Sequence, residues 1–193
     1  LAASELRPQD RAVLVELVPG EARALELAVA DGSHIRVEQG DGFDRIRAWL
    51  PPTERRGLTF IDPPYEESRD FDRVTAAIAE ALRRFSTGVI AAWYPVKEER
   101  DIAAWHAGLV RDLEGAATRR SGDGCEILAA ELWLYPRDSR VGLNGSGMLI
   151  VNPPYLLAER MRVWLPELQA QLDAGQAGGS SIRLLAPGSQ TGS

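Results

Sequence analysis

Cysteine occurs once in the 193 residues, at Cys125, so neither a disulfide nor a cysteine-built zinc site can form within the chain. Histidine occurs twice, at His34 and His106, far apart on unremarkable segments; this offers no metal constellation, and both read as surface residues. No apolar run approaches the length of a membrane span and no signal-type stretch opens the sequence, so the expectation is a cytoplasmic chain without metal or membrane. A basic excess is missing too. With 22 Lys and Arg against 28 Asp and Glu, a net charge of −6 and a pI near 5.1, this is no dedicated electrostatic binder of nucleic acid, because non-specific affinity comes chiefly from cations neutralising phosphates. Any polynucleotide must be gripped by a local patch or by residues outside the chain. The sequence also opens without methionine. Leu1-Ala2-Ala3-Ser4-Glu5-Leu6 reads as the end of a helical pattern, and the expectation is a fragment of a longer protein.

What is present suits one soluble domain able to bury a core, 45% hydrophobic and 26% charged, over residues 1–187, followed by a disordered tail at 188–193. Ala12 to Val18 reads as a strand, Glu21 to Ala30 as a helix, Ile35 to Glu38 as a strand, and Phe43 to Leu50 as a helix stopped by Pro51-Pro52. Gly57 to Ile61 is a short buried strand. Phe71, Val74, Ile78, Leu82 and Phe85 recur at helical spacing. A strand over Val89 to Trp93, ended by Tyr94-Pro95, precedes a helix marked by Ile102, Trp105, Leu109 and Leu113. A polar loop from Thr118 to Gly124 leads to two consecutive strands, Glu126–Leu134 and Met148–Val151. A final helix carries Leu157 to Leu172, and a short apolar run covers Ile182 to Leu185. Four strand–helix alternations before a strand pair suit a mostly parallel α/β sheet with one antiparallel pair near its end, clothed by helices.

The stretch that carries chemistry is Thr59-Phe60-Ile61-Asp62-Pro63-Pro64-Tyr65. Two prolines cannot continue a ladder or enter a helix interior, so the chain leaves the sheet at Asp62, fixing an acid at a strand's carboxyl end. Ligands bind there in open α/β sheets. The group suits transfer to an exocyclic amine of a base, whose lone pair is delocalised into the ring. The Asp62 carboxylate and the Pro63 carbonyl can accept its two N–H bonds, and Tyr65 can stack on the base, with Pro64 beside it. A second group, Asn152-Pro153-Pro154-Tyr155, is a rival, but it follows the antiparallel pair and precedes a plain core-facing helix.

Asp-Pro-Pro-Tyr resembles the motif of S-adenosylmethionine-dependent amino-methyltransferases. Glu16-Leu17, Asp41-Gly42-Phe43, Arg55-Arg56-Gly57-Leu58 running into Ile61-Asp62-Pro63-Pro64-Tyr65, Trp93-Tyr94-Pro95-Val96, and Ser146-Gly147-Met148 running into Asn152-Pro153-Pro154 stand in one order. That order resembles the bacterial 23S ribosomal RNA adenine-N6-methyltransferases of the large-subunit J type, over nearly the whole chain. Proteins of this family are also described as acting in the use of external DNA.

The resemblance implies a Rossmann-like class I methyltransferase sheet, S-adenosylmethionine as cofactor and 23S ribosomal RNA as partner; a monomer is the separate expectation. It implies that Glu16 holds the cofactor's ribose hydroxyls, that Asp41 with Gly42 meets its adenine, and that Asp62 lies against cofactor and substrate. Asp62, Pro63 and Tyr65 would carry the reaction, and Pro64 and Tyr65 would line the base pocket; Tyr94 either lines it too or, as a strand-end aromatic, serves packing. Arg55, Arg56, Arg137 and Arg140 are possible phosphate contacts. The family's first strand and its Gly-rich loop are not in this sequence, so the expectation is that the strands around Glu16 and before Asp62 face a gap, and that the chain alone is inactive. Competing readings are a DNA adenine-N6 methyltransferase and a non-catalytic nucleic-acid-binding remnant without the cofactor loop.

Overall fold

A computed structural model of the chain describes residues 2–30, 32, 34–67, 69–117, 125–137, 139, 141–172, 175 and 177–185. The predicted loop at 118–124 and tail at 188–193 lie outside these residues. The chain divides into two compact units, residues 1–50 and 51–193.

The first unit is a βαβα piece. After a 3-10 turn at Ala2–Glu5, β1 (Ala12–Glu16) is followed by α1 (Pro19–Ala28), β2 (Ile35–Gln39) and α2 (Gly42–Trp49). Pro19 at the first turn of α1 costs no hydrogen bond there. β1 and β2 pair in parallel, Ala12 opposite Ile35 through Glu16 opposite Gln39, which places both carboxyl ends at one edge.

The second unit begins with β3 (Leu58–Ile61), α3 (Asp70–Arg84), β4 (Val89–Val96) and α4 (Glu99–Ala117). It continues with β5 (Ile127–Trp133), β6 (Gly145–Val151), α5 (Leu157–Leu172) and β7 (Gly179–Leu184). Its sheet runs β3-β4-β6-β5-β7, with β3 and β4 parallel and the other three pairings antiparallel. The α/β class and the expected antiparallel pair, β5 with β6, are present; the expectation of a mostly parallel sheet is corrected, because the described strands form two sheets and three of the four pairings in the larger are antiparallel. The cause is β6, which inserts between β4 and β5 against the direction of both. β1 has β2 as its described partner and β3 has β4, so each is an edge strand.

α3 buries Val74, Ala77, Ile78, Ala81 and Leu82 on one stripe, each large side chain contributing about 1.5–3 kcal/mol. α5 covers the other face of β5 and β7 through Ala158, Met161 and Leu165, which join Leu128, Ala130, Leu132 and Ile150 in one core. β4 does not stop at Tyr94-Pro95 as predicted but runs on to Val96, with Pro95 paired to Ser146. β3 ends opposite Ala92, so Pro95 lies where β4 has lost its neighbour on that side and its missing N–H costs no ladder bond.

Candidate active site

β3 delivers Asp62 to the carboxyl edge of the second unit's parallel pair. Its carboxylate is exposed and takes part in no hydrogen bond or ion pair among the described residues. Pro63 is buried and Pro64 exposed, so the two imino rings alternate between core and solvent. Tyr65 then takes a left-handed backbone conformation, φ 52°, which costs a bulky residue on the order of 1–3 kcal/mol and needs support. The support is visible. The Tyr65 hydroxyl donates to the Trp93 carbonyl at 2.6 Å, and its ring packs on Phe71 and Trp93 with centroids 4.7 and 5.6 Å away. Further on, the Glu67 N–H donates to buried Asp70 Oδ2 at 3.1 Å and the Asp70 N–H returns to the Glu67 carbonyl, closing the loop onto α3. Burial first, then the charges of Asp62 and Asp70, hold the Tyr65 phenol above its ordinary range, so it is a donor at any working pH.

Two expected roles change. Tyr65, 8% exposed, leaves little surface for a base to stack on in this conformation. Tyr94, expected to line a base pocket, has no exposed surface at all. It lies on the face of β4 that α4 covers, its ring against Trp105 and His106, and its hydroxyl donates to Glu131 at 3.0 Å.

In the first unit, Glu16 ends β1 and Asp41 follows its parallel neighbour β2, so both are brought to one edge. Glu16 Oε1 accepts from the Val18 N–H at 2.8 Å, and Asp41 caps α2 by accepting from the Phe43 N–H at 2.9 Å. A Cβ added at Gly42 would meet no atom within 4 Å, so this corner is open to an approaching molecule. Two carboxylates and an open glycine at strand ends are an acceptor set that fits the hydroxyls and amine of a nucleoside.

The second proline pair faces the other way. Because β6 runs antiparallel to β4, Val151 lies opposite Ile90, and Asn152 emerges at the amino ends of β3 and β4. Its side-chain amide donates to the Ser86 and Gly88 carbonyls, each at 2.9 Å, bracing the turn that enters β4. Tyr155 is 90% exposed. Asn152-Pro153-Pro154-Tyr155 is thus a brace at the opposite edge from Asp62.

The sequence reading missed a buried ionic cluster. Glu131 is fully buried on β5, and burial raises its carboxyl. Arg137, hydrogen-bonded at 2.6 Å, the charges of Arg183 and Arg137, and the Tyr94 hydroxyl outweigh that and lower it overall. Arg137 also spans Trp133, its guanidinium 3.9 Å from the ring centroid. It is therefore engaged inside the protein rather than free for phosphate. Arg55 and Arg56 are exposed but precede β3, at the edge away from Asp62, and Arg140 lies outside the described residues. His106, expected at the surface, is 3% exposed, neither ring nitrogen is hydrogen-bonded among the described residues, and burial pushes it down to about 4. The signal that could have found this cluster was an acid inside the apolar run Ile127 to Trp133.

Residues 1–185 match the model of the family described as ribosomal RNA large subunit methyltransferase D, RlmJ. The chain is 38% identical over 182 residues to the ribosomal RNA large subunit methyltransferase J of Escherichia coli (strain K12), covering 94% of this chain and 61% of that protein. It is 37% identical over 187 residues to the protein of the same name from Haemophilus influenzae, covering 97% and 63%. The chain thus spans a little over three fifths of the length of these curated relatives. A crystal structure of a Legionella pneumophila protein from the family labelled DUF519 superposes with a TM-score of 0.78 at 32% identity, over 95% of this chain and 64% of that one. By the family match and these identities, the chain belongs to the ribosomal RNA large subunit methyltransferase D, RlmJ, family.

Proposed function

We propose that the protein transfers a methyl group from S-adenosylmethionine to N6 of an adenine in 23S ribosomal RNA. The observation that carries this reading is Asp62, exposed and unengaged at a parallel strand's carboxyl end, on a loop fixed by the bond from Tyr65 to the Trp93 carbonyl. Family membership supports the same chemistry. S-adenosylmethionine supplies the methyl group. Glu16 would accept from its ribose hydroxyls, its Oε2 having no partner among the described residues, and Asp41 and Gly42 would receive the adenine.

Asp62 and the Pro63 carbonyl then act on the target. Each accepts one N–H of the extruded base's amine, which aims the nitrogen lone pair along the transfer axis; such positioning can supply on the order of 7–11 kcal/mol of a barrier. No strong base is required, because the amine loses its proton readily once it is methylated. Extruding the adenine costs a few kcal/mol in a duplex and less in a loop, which favours an unpaired target. Tyr65 serves by clamping the loop, and Pro64, exposed beside Asp62, offers an apolar edge to the base.

The net charge of −6 favours a folded RNA target met at a local site over general DNA binding. The open edges of β1 and β3 can each take a further parallel strand, so guanidinium unfolding of the 193-residue chain by itself is expected to be broad; one steep transition would contradict that. The functional test is labelled methyl transfer by the complete gene product carrying these residues, with unmodified 23S ribosomal RNA and duplex DNA in parallel. Label is expected as N6-methyladenosine in the RNA. Label in DNA alone, or in neither, would overturn the reading.

A further inference from the structure

Glu131, Gly147 and Tyr94 form one row across the sheet. Tyr94 of β4 lies opposite Gly147 of β6, Gly147 opposite Glu131 of β5, and Glu131 opposite Ser181 of β7. A Cβ at position 147 would overlap the Tyr94 ring, so glycine there is what lets the phenol cross a strand and reach the carboxylate. Glu131 collects four donors, the Tyr94 hydroxyl at 3.0 Å, Arg137 at 2.6 Å, Arg183 at 3.3 Å and the Ser181 hydroxyl at 3.3 Å. Such an assembly is a costly way to fill a core, since an apolar side chain of similar volume would serve stability as well or better. Its value is in fixing a position.

What it fixes leads to the Asp62 loop by two routes. Along the backbone, Tyr94 is next to Trp93, whose carbonyl accepts the Tyr65 hydroxyl. Through the rings, Tyr94 packs on Trp105 at 5.0 Å, Trp105 on Phe71 at 4.9 Å, and Phe71 on Tyr65 at 4.7 Å. The second route is pinned by hydrogen bonds: Trp105 Nε1 donates to the Thr75 hydroxyl at 3.0 Å, which donates to the Phe71 carbonyl at 3.0 Å. Beyond Ala92, β4 has lost β3 as a neighbour, so the Trp93–Val96 segment depends on β6 and on this row for its place.

We propose that Tyr94 and Glu131 are positioning residues, which hold the Trp93 carbonyl and the Phe71 ring so that the strained Tyr65 turn presents Asp62 and the Pro63 carbonyl in register with the target amine. This rests on the methyl-transfer reading above. It requires that the row act through Tyr65, and that requirement separates it from general stabilisation of the sheet.

The test is a double-mutant cycle between Tyr94→Phe and Tyr65→Phe in the complete gene product, both volume-conserving, with Glu131→Gln as a second probe of the row. Ile150→Val, on the α5 face of the same sheet, is the control for simple loss of packing. Tyr94→Phe is expected to lower kcat roughly tenfold while leaving KM for S-adenosylmethionine within about twofold. Glu131→Gln should act in the same direction. The double variant should be no slower than the slower single one, because both changes release the same turn. Ile150→Val should lower the melting temperature without changing kcat. A readout free of turnover is hydrogen exchange at the Tyr65, Glu66 and Glu67 amides, expected to quicken in Tyr94→Phe and not in Ile150→Val. Wild-type kcat in both Tyr94→Phe and Glu131→Gln, fully multiplicative losses in the double variant, or unchanged exchange would each overturn the proposal. Wild type and Asp62→Ala run alongside keep the two ideas apart: no methyl transfer to RNA by wild type sinks the methyl-transfer reading, retained turnover in Asp62→Ala sinks the role given to Asp62, and loss of turnover there with an unaltered Tyr94→Phe sinks only the positioning role.

Discussion

The chain writes nearly the same four residues twice, Asp62-Pro63-Pro64-Tyr65 and Asn152-Pro153-Pro154-Tyr155, and the fold gives them opposite employment. In the first copy the polar side chain is exposed, with no hydrogen bond or ion pair among the described residues, while the tyrosine is locked inside. In the second, the polar side chain is locked onto two carbonyls and the tyrosine stands 90% exposed. Strand direction decides. β3 ends at the carboxyl edge of a parallel pair, and β6, antiparallel to β4, ends at the opposite edge. A short motif has no chemistry of its own until the topology says which edge it leaves and which of its groups remain unspent.

Crossed substitutions should separate the copies. The largest effect is expected for Asp62→Ala, which should lower kcat at least about a hundredfold while isothermal titration shows S-adenosylmethionine affinity nearly unchanged. Next is Asn152→Ala, expected to cost about 1–3 kcal/mol in chemical denaturation because the Ser86 and Gly88 carbonyls lose their shared donor, with kcat per folded molecule unchanged. A normal unfolding midpoint in that variant would break the comparison. Tyr155→Ala should fall within about 0.5 kcal/mol of wild type, as expected for an exposed side chain away from other contacts.

The supports also differ in charge, which gives a pH dependence. The second copy is held by a neutral amide, whereas the first leans on Tyr94, which contacts Glu131 and His106. Folded His106 titrates near 4 and an unfolded histidine near 6.5, so between those values the unfolded chain binds a proton that the folded chain does not. Stability therefore falls as pH drops through that window, by up to roughly 3 kcal/mol. Glu131, lowered by its arginines, adds a further loss at more acid pH, because the unfolded carboxyl takes up a proton before the folded one does. Denaturation midpoints for His106→Leu should lose the slope between about pH 6.5 and 4; an undiminished slope would contradict the assignment.

Much of this was legible in the sequence. Periodicity located the helices and the strands β1 to β6 to within a few residues, because each amphipathic stripe, such as Val74, Ile78 and Leu82, is long and interrupted by clear turn residues, whereas β7 showed only as a short apolar run. The exit of Asp62 from its strand followed from two prolines. The antiparallel pairing of β5 with β6 was legible from their short link, but strand order was not, since an apolar run such as Met148 to Val151 carries no mark of its other neighbours, and the place of β6 between β4 and β5 makes three of the four pairings in the larger sheet antiparallel. The buried row stayed hidden for the same reason: Tyr94, Gly147 and Glu131 are far apart in sequence and meet only through strand register. Side-chain engagement was equally out of reach, so Arg137 read as an exposed cation, and Tyr94 could not be told apart as pocket wall or packing.

The account stands most directly on the ratio of two turnover numbers, Asn152→Ala to Asp62→Ala, measured with one preparation of unmodified 23S ribosomal RNA at saturating S-adenosylmethionine. A ratio of about a hundred or more is expected if Asp62 carries the alignment of the amine and Asn152 only braces the sheet. A ratio near one, or one below it, would contradict the account.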